Sequence, residues 1–173
     1  MNYFQFFDLP PSFLLEEAGL KRRFYAQSKR LHPDFYTLEA EEKQAEILEQ
    51  STYNNQAYKT LSNFDTRMKY VLELKGAMPA EGQFSLSQDF LMEMMELNEE
   101  LMELETEFDP GRHAEAIRMV EGLESELLDA VMPILEAHDR DAGSVGLQPV
   151  IDYYFKKRYL LRIRENLNRF AGS

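Results

Sequence analysis

The chain has 173 residues, no cysteine and a formal net charge of −12. Its length suits one fair-sized domain or two small ones with a real core, and the missing cysteine excludes disulfides, a cysteine nucleophile and a thiolate metal site. The negative balance disfavours nonspecific binding to nucleic acid or an anionic membrane.

In chain order, the opening NYFQFFDL reads as a short aromatic helix stopped by Pro10 and Pro11. So short a helix needs a neighbouring surface. The opening lacks the basic start of a signal peptide, and no run approaches the length of a transmembrane helix. With the absence of cysteine fitting a reducing compartment, the expectation is a cytoplasmic protein. A second helix is predicted from about Glu16 to Leu31. Leu20, Phe24, Ser28 and Leu31 fall on one side and Arg22 and Lys29 on the other, with Lys21, Arg23 and Arg30 around them. Its acidic start and basic end suit the helix dipole.

Pro33 stops that helix, and HPDFYT is a loop. Thr37 is the predicted N-cap of a third helix, from about Leu38 to Leu61, with Leu48, Ser51, Asn55 and Tyr58 facing inward and Ala45 and Leu61 nearby. Such a pair packs as an antiparallel hairpin. A shorter helix, Thr66 to Leu74, follows. KGAMPAEGQFSLS then reads as a linker, with Gly76 closing the preceding helix.

Three longer helices are predicted at about 86–108, 112–138 and 147–170, separated by DPGR and DRDAGSVG. Pro133 predicts a kink or an earlier boundary in the second of them. The short connections predict an antiparallel three-helix bundle. Residues 1–75 carry a net charge of −1 and residues 76–173 carry −11, which suggests two modules. The expected fold is all-α, with one domain at 1–75, a linker at 76–85 and a three-helix domain at 86–173.

His32-Pro33-Asp34 is the first candidate site. From the residues alone, the tripeptide is open to three readings: a general base, a metal ligand, or a surface read by another protein. His113 and His138 lie far away without ligand spacing, and neither a nucleophile elbow nor a glycine-rich phosphate loop occurs. The second candidate lies on the helix at 86–108. Phe90, Met94, Leu97, Leu101, Leu104 and Phe108 form a core stripe at helical spacing. Leu91, Met95 and Met102 flank it, while Met92, Glu96, Glu99 and Glu103 fall on the far side. That pattern suits either a generous helix–helix interface with a solvated back or a surface for a partner. Glu121, Glu124, Glu126, Asp129 and Glu136 read as a solvated face without calcium-loop spacing.

KRRFYAQSKRLH, HPD, NNQAYKTLSN and YFQFFDLP together resemble a J domain, the module by which co-chaperones engage Hsp70 chaperones. FLMEMMELNEELMELE and KKRYLLRI extend the likeness over nearly the full length: the chain resembles the HscB, or Hsc20, family of iron–sulfur cluster assembly. This resemblance implies a co-chaperone that is not itself an enzyme. His32, Pro33 and Asp34 would stimulate ATP hydrolysis by an Hsp70, HscA-like or general, and Lys21, Arg22, Arg23, Lys29 and Arg30 would dock it. Leu91, Met92, Met95, Glu96, Glu99, Glu103 and Tyr159 would hold an IscU-like scaffold protein.

The resemblance implies no cofactor and no resident metal, and the acidic charge with the lack of a long apolar run implies no nucleic acid and no membrane. Some relatives carry a cysteine-pair metal segment ahead of the J domain; this chain is expected to lack it and to ligate no cluster. Where many J domains place lysine after HPD, this chain has Phe35, expected to pack its ring between helices. A J-domain protein for a different client and a purely structural helical protein are the alternatives.

Overall fold

The computed structural model describes residues 1–171. Among them the chain forms seven α-helices and one 3-10 turn, with no strand, so the all-α expectation holds. The backbone divides into two compact units, Met1–Gly76 and a second that begins at Ala77.

The first unit opens with α1 (Tyr3–Phe6), held by a reciprocal cap in which Asn2 and Gln5 each accept the other's backbone N–H. The helix ends before the two prolines, because Asp8 adopts φ 53°. Asp is among the few side chains that tolerate this left-handed region. The neighbouring surface this short helix requires is aromatic: Tyr3 stacks on Tyr70 at 4.6 Å and meets Tyr53 edge-on at 5.1 Å.

Helix α2 (Glu17–Arg30) and helix α3 (Glu41–Ser62) form the hairpin. Phe24 stacks on Tyr58 at 4.1 Å, and Asn54 Nδ2 donates to Ser28 Oγ at 3.0 Å. The partners run in opposite order along the two helices, so the pair is antiparallel. Leu20 and Leu31 are buried, as the pattern predicts. The inward face of α3 differs from the expectation. Its buried residues are Ile47, Asn54, Ala57 and Leu61; Tyr58 faces α2 and Leu61 is buried as expected, whereas Leu48 and Asn55 are exposed and their neighbours Ile47 and Asn54 take the inward places. The reason is Asn54, which must face α2 to reach Ser28; this turns Ile47 inward and Leu48 outward. Thr37 does not cap α3 either. The helix starts after Ala40, and Gln44 Nε2 reaches back to donate to the Glu39 carbonyl at 2.8 Å.

Helix α4 (Phe64–Leu74) starts two residues earlier than predicted, because Asn63 caps it by accepting from the N–H groups of Asp65 and Thr66. Its Arg67 is buried and donates to the carbonyls of Phe13 and Leu61 at 2.8 and 2.6 Å. Gly76 follows at φ 66°, a conformation suited to glycine.

In the second unit, Ser87 caps α5 (Gln88–Thr106), and Asp109 with Pro110 starts α6 (Pro110–Arg140). Helix α7 (Gln148–Ala171) completes the three. Phe90, Met94, Leu97, Leu101 and Leu104 from α5 pack with Ala116 and Val120 from α6 and Leu160, Ile163 and Leu167 from α7. Each large side chain fully buried there contributes about 1.5–3 kcal/mol of transfer free energy. Helices α6 and α7 are pinned by Arg164, whose Nη2 donates to Glu124 at 2.6 Å, and by His113 Nε2 within 2.8 Å of the Leu167 carbonyl. Two expectations change. Phe108 lies beyond the end of α5 and is exposed, so it is not part of the stripe. Helix α6 continues through Pro133 to Arg140, so no earlier boundary occurs.

Candidate docking surfaces

The tripeptide begins where α2 ends. His32 is the cap of a 3-10 turn spanning Pro33–Tyr36, with Pro33 in its first turn. The proline ring presets the backbone angle this turn needs. His32 Nδ1 accepts from the backbone N–H of Asp34 at 3.3 Å, and Asp34 Oδ2 lies 3.6 Å from the same nitrogen. In the neutral ring this leaves Nε2 as the donor. The Asp34 and His32 side chains are 84% and 55% exposed. Tyr36 donates its hydroxyl to the Arg30 carbonyl at 2.7 Å, closing the turn onto the helix.

This geometry suits recognition better than proton transfer. A solvent-exposed pair lacks the burial that tunes an acid or base. Among the described residues, no group of three or more His, Cys, Asp or Glu side chains is placed to hold a metal. What remains is one donor and one carboxylate on a turn braced at both ends.

The five predicted docking cations are all exposed on α2, but they are not equivalent. Arg22 faces Glu16 at 3.8 Å, a loose surface pair of little energetic weight. Lys21 lies 6.0 Å from the centre of the Tyr25 ring, and Arg30 Nε donates to Gln27 at 2.9 Å. Arg23 is turned inward: its Nη1 donates to the Phe7 carbonyl at 2.8 Å and lies 3.8 Å from Asp8. It anchors the end of α1 as much as it adds positive surface. Phe35 departs from the expectation altogether. Its ring does not pack between helices; the residue is 67% exposed, and its ring meets the His32 ring at 6.0 Å.

In the second unit, α5 turns Met92, Met95, Glu96, Glu99 and Glu103 away from its buried stripe, all of them exposed, with Leu91 half-buried at the flank. Tyr159 is also half-buried on α7. Its hydroxyl accepts from Asn98 Nδ2 at 2.8 Å, and its ring meets Phe90 edge-on at 5.6 Å. It therefore supports the α5–α7 contact as well as bordering the surface.

Glu103 is not a free carboxylate. Arg112, in the first turn of α6, donates to both Glu100 and Glu103. Hydrogen bonds to Glu100 and then Glu103 raise the guanidinium pKa further. A groove of 240 Å³ between α5 and α6 runs beside this bridge, lined by Glu96, Glu100, Arg112, Glu115 and Met119. Sequence reasoning missed Arg112 and Met119. Their only signal was position after the Asp109 cap, and that does not reveal which carboxylates a neighbouring helix will present.

Comparison with known proteins follows the same two-part layout. Residues 86–168 match the model of the HSCB C-terminal oligomerisation domain. A co-chaperone protein HscB homolog of Vibrio cholerae is 40% identical over 111 residues, 64% of this chain and 65% of the relative, so the match spans just under two thirds of that protein's length. The human iron-sulfur cluster co-chaperone protein HscB is 30% identical over 167 residues, 96% of this chain and 67% of the human one. Among solved structures, human co-chaperone HscB superposes with a TM-score of 0.79 at 28% identity, covering 97% of this chain and 81% of the other. Chaperone HscB from Vibrio cholerae gives 0.73 at 26% identity, covering 99% and 98%. Because the relationship runs through both units and not the C-terminal helices alone, the chain belongs to the HscB co-chaperone family.

Proposed function

We propose that this chain is an adaptor that stimulates ATP hydrolysis by an Hsp70-class chaperone and delivers an iron–sulfur scaffold protein to it. The first unit acts as the J domain and the second holds the client. The observation that carries this reading is the exposed His32–Asp34 turn, tied by Tyr36 to the end of a helix whose outer face bears Lys21, Arg22, Lys29 and Arg30. Positive side chains steer an acidic partner and fix its register. The turn then presents a donor and a carboxylate in fixed relation. The chemistry belongs to the partner: this chain favours the chaperone state in which hydrolysis is faster.

The scaffold seats on the outer face of α5. Met92 and Met95 supply adaptable apolar contact, and Glu96 and Glu99 select a basic complement. Holding client and chaperone on one chain raises the effective concentration of one for the other. The proposed setting is the cytoplasm; among the described residues no helix is long and apolar enough to cross a membrane.

The test is the ATPase rate of a purified Hsp70 with the intact chain, with and without the scaffold protein. Stimulation by the chain, a further increase with scaffold, and at least about a tenfold loss in Asp34→Asn are expected. Stimulation with no scaffold effect, and no capture of scaffold above an acidic control protein, would assign the second unit to a different client.

A further inference from the structure

The side of the first unit next to the tripeptide carries apolar side chains that the fold leaves uncovered. Phe35 is 67% exposed, Leu48 is 61% exposed and Leu38 is fully exposed. Between the 3-10 turn and α3 lies a groove of 320 Å³ whose walls include Pro33, Asp34, Tyr36, Ile47 and Leu48. Phe35 stands on the same turn with its ring beside His32, and Leu38 follows in the loop that leads to α3. Single exposed leucines are ordinary on a protein surface. Here Leu48 lines the groove, while Phe35 and Leu38 are chain neighbours of its walls Asp34, Tyr36 and Thr37, so exposed apolar side chains flank the groove on both the turn and α3, as a contact surface would have them.

None of the three serves the core of its own unit. Leu48 is the residue that the Asn54–Ser28 bond turns outward, while Ile47 takes the inward place.

We propose that Phe35, Leu38 and Leu48 form an apolar ledge that the Hsp70 covers when it engages His32–Asp34. This rests on the Hsp70 reading above and adds to it the source of residence time and partner selectivity. The occupant follows from the groove's own walls. Pro33 and Asp34 belong both to the groove and to the proposed activating turn, so a protein seated on the turn lies over the groove as well. A different partner there would compete with the chaperone. The two parts of the surface divide the work physically. Exposed lysines and arginines accelerate encounter and are screened by salt. Apolar contacts around a central aromatic slow dissociation and are largely salt-insensitive. The chaperone selected in this way carries a complementary apolar patch beside the site that accepts the aspartate.

The test uses the intact chain with Phe35→Ser, Leu38→Ser and Leu48→Ser combined, against the cognate Hsp70. All three side chains are exposed, so the melting temperature is expected to be kept. The expected result is a rise of about tenfold in the concentration giving half-maximal ATPase stimulation. That shift persists at high salt, whereas the shift caused by Lys29→Ala with Arg30→Ala shrinks there. A half-saturating concentration within about twofold of the parent, with Asp34→Asn still inactive, overturns the ledge and leaves the Hsp70 reading standing. No stimulation by the parent overturns both. Sedimentation showing that the parent self-associates and the triple variant does not would assign the ledge to a second copy of this chain, and would likewise overturn the proposal.

Discussion

Tyr36 donates its hydroxyl to the backbone carbonyl of Arg30 at 2.7 Å, so the turn that carries Pro33 and Asp34 is tied to the last residue of the basic helix. The bond helps hold the two parts of the proposed Hsp70 surface in register. Tyr36→Phe removes that bond and keeps the ring. The expected cost in global stability is below about 1 kcal/mol. Half-maximal stimulation of Hsp70 is expected to need about two- to fivefold more protein. Chemical denaturation and an ATPase titration, done on the same preparation, separate the two effects.

The bridge from Arg112 to Glu100 and Glu103 makes the carboxylates of α5 unequal. Glu99 is exposed on the same helix and lies outside this bridge. Glu99→Gln is therefore expected to weaken scaffold binding at low salt by about two- to fivefold, and Glu103→Gln by less. Arg112→Gln frees two carboxylates and is expected to speed association with a basic scaffold surface. All three effects diminish as salt rises. Association rates measured across a salt series check the order.

Leu97 and Leu104 lie at 1% and 2% exposure in the middle of the second unit. Truncation of either to alanine removes buried methyl groups and leaves a cavity, at a cost of about 2–5 kcal/mol. The loss belongs to the three-helix unit. Calorimetry of the intact chain is expected to show a lowered transition for that unit, while stimulation of Hsp70 by the first unit continues.

Burial raises the phenol pKa of Tyr70 and of Tyr53 above the ordinary value of 10. The neutral phenol is thus favoured in the folded state. Its contribution is fully present below pH 10, the unfolded value, and is lost as pH rises through the higher folded value. The first unit, where Tyr70 accepts from the Tyr3 N–H at 3.0 Å, is expected to lose stability in strong alkali. Tyr70→Phe is expected to flatten that dependence while lowering stability near neutrality. Thermal melts followed across alkaline pH provide the measurement.

The helices and their order were legible in the chain because apolar residues recur at the helical period and prolines and glycines interrupt them. The stripe Phe90, Met94, Leu97, Leu101, Leu104 is the clearest case, since five large residues at spacings of four and three leave one rotation of the helix that buries them all. The face of α3 was less legible. Ile47 and Leu48 are adjacent and equally apolar, and the period alone does not choose between them. The choice falls to Asn54, a polar residue whose partner Ser28 is on another helix.

The sequence by itself determined the helical class, the place where the basic helix stops, and the identity of the tripeptide that follows it. Those depend on local terms: a proline without an N–H, charges matched to a helix dipole, and periodicity along one chain. Tertiary structure alone decided that Phe35 and Leu48 face outward, that Arg23 reaches back to Phe7, and that Arg112 neutralises part of the α5 face. Each of these is a contact, or the lack of one, between segments distant in sequence. Its energy is set by which helix faces which, and no local pattern contains that.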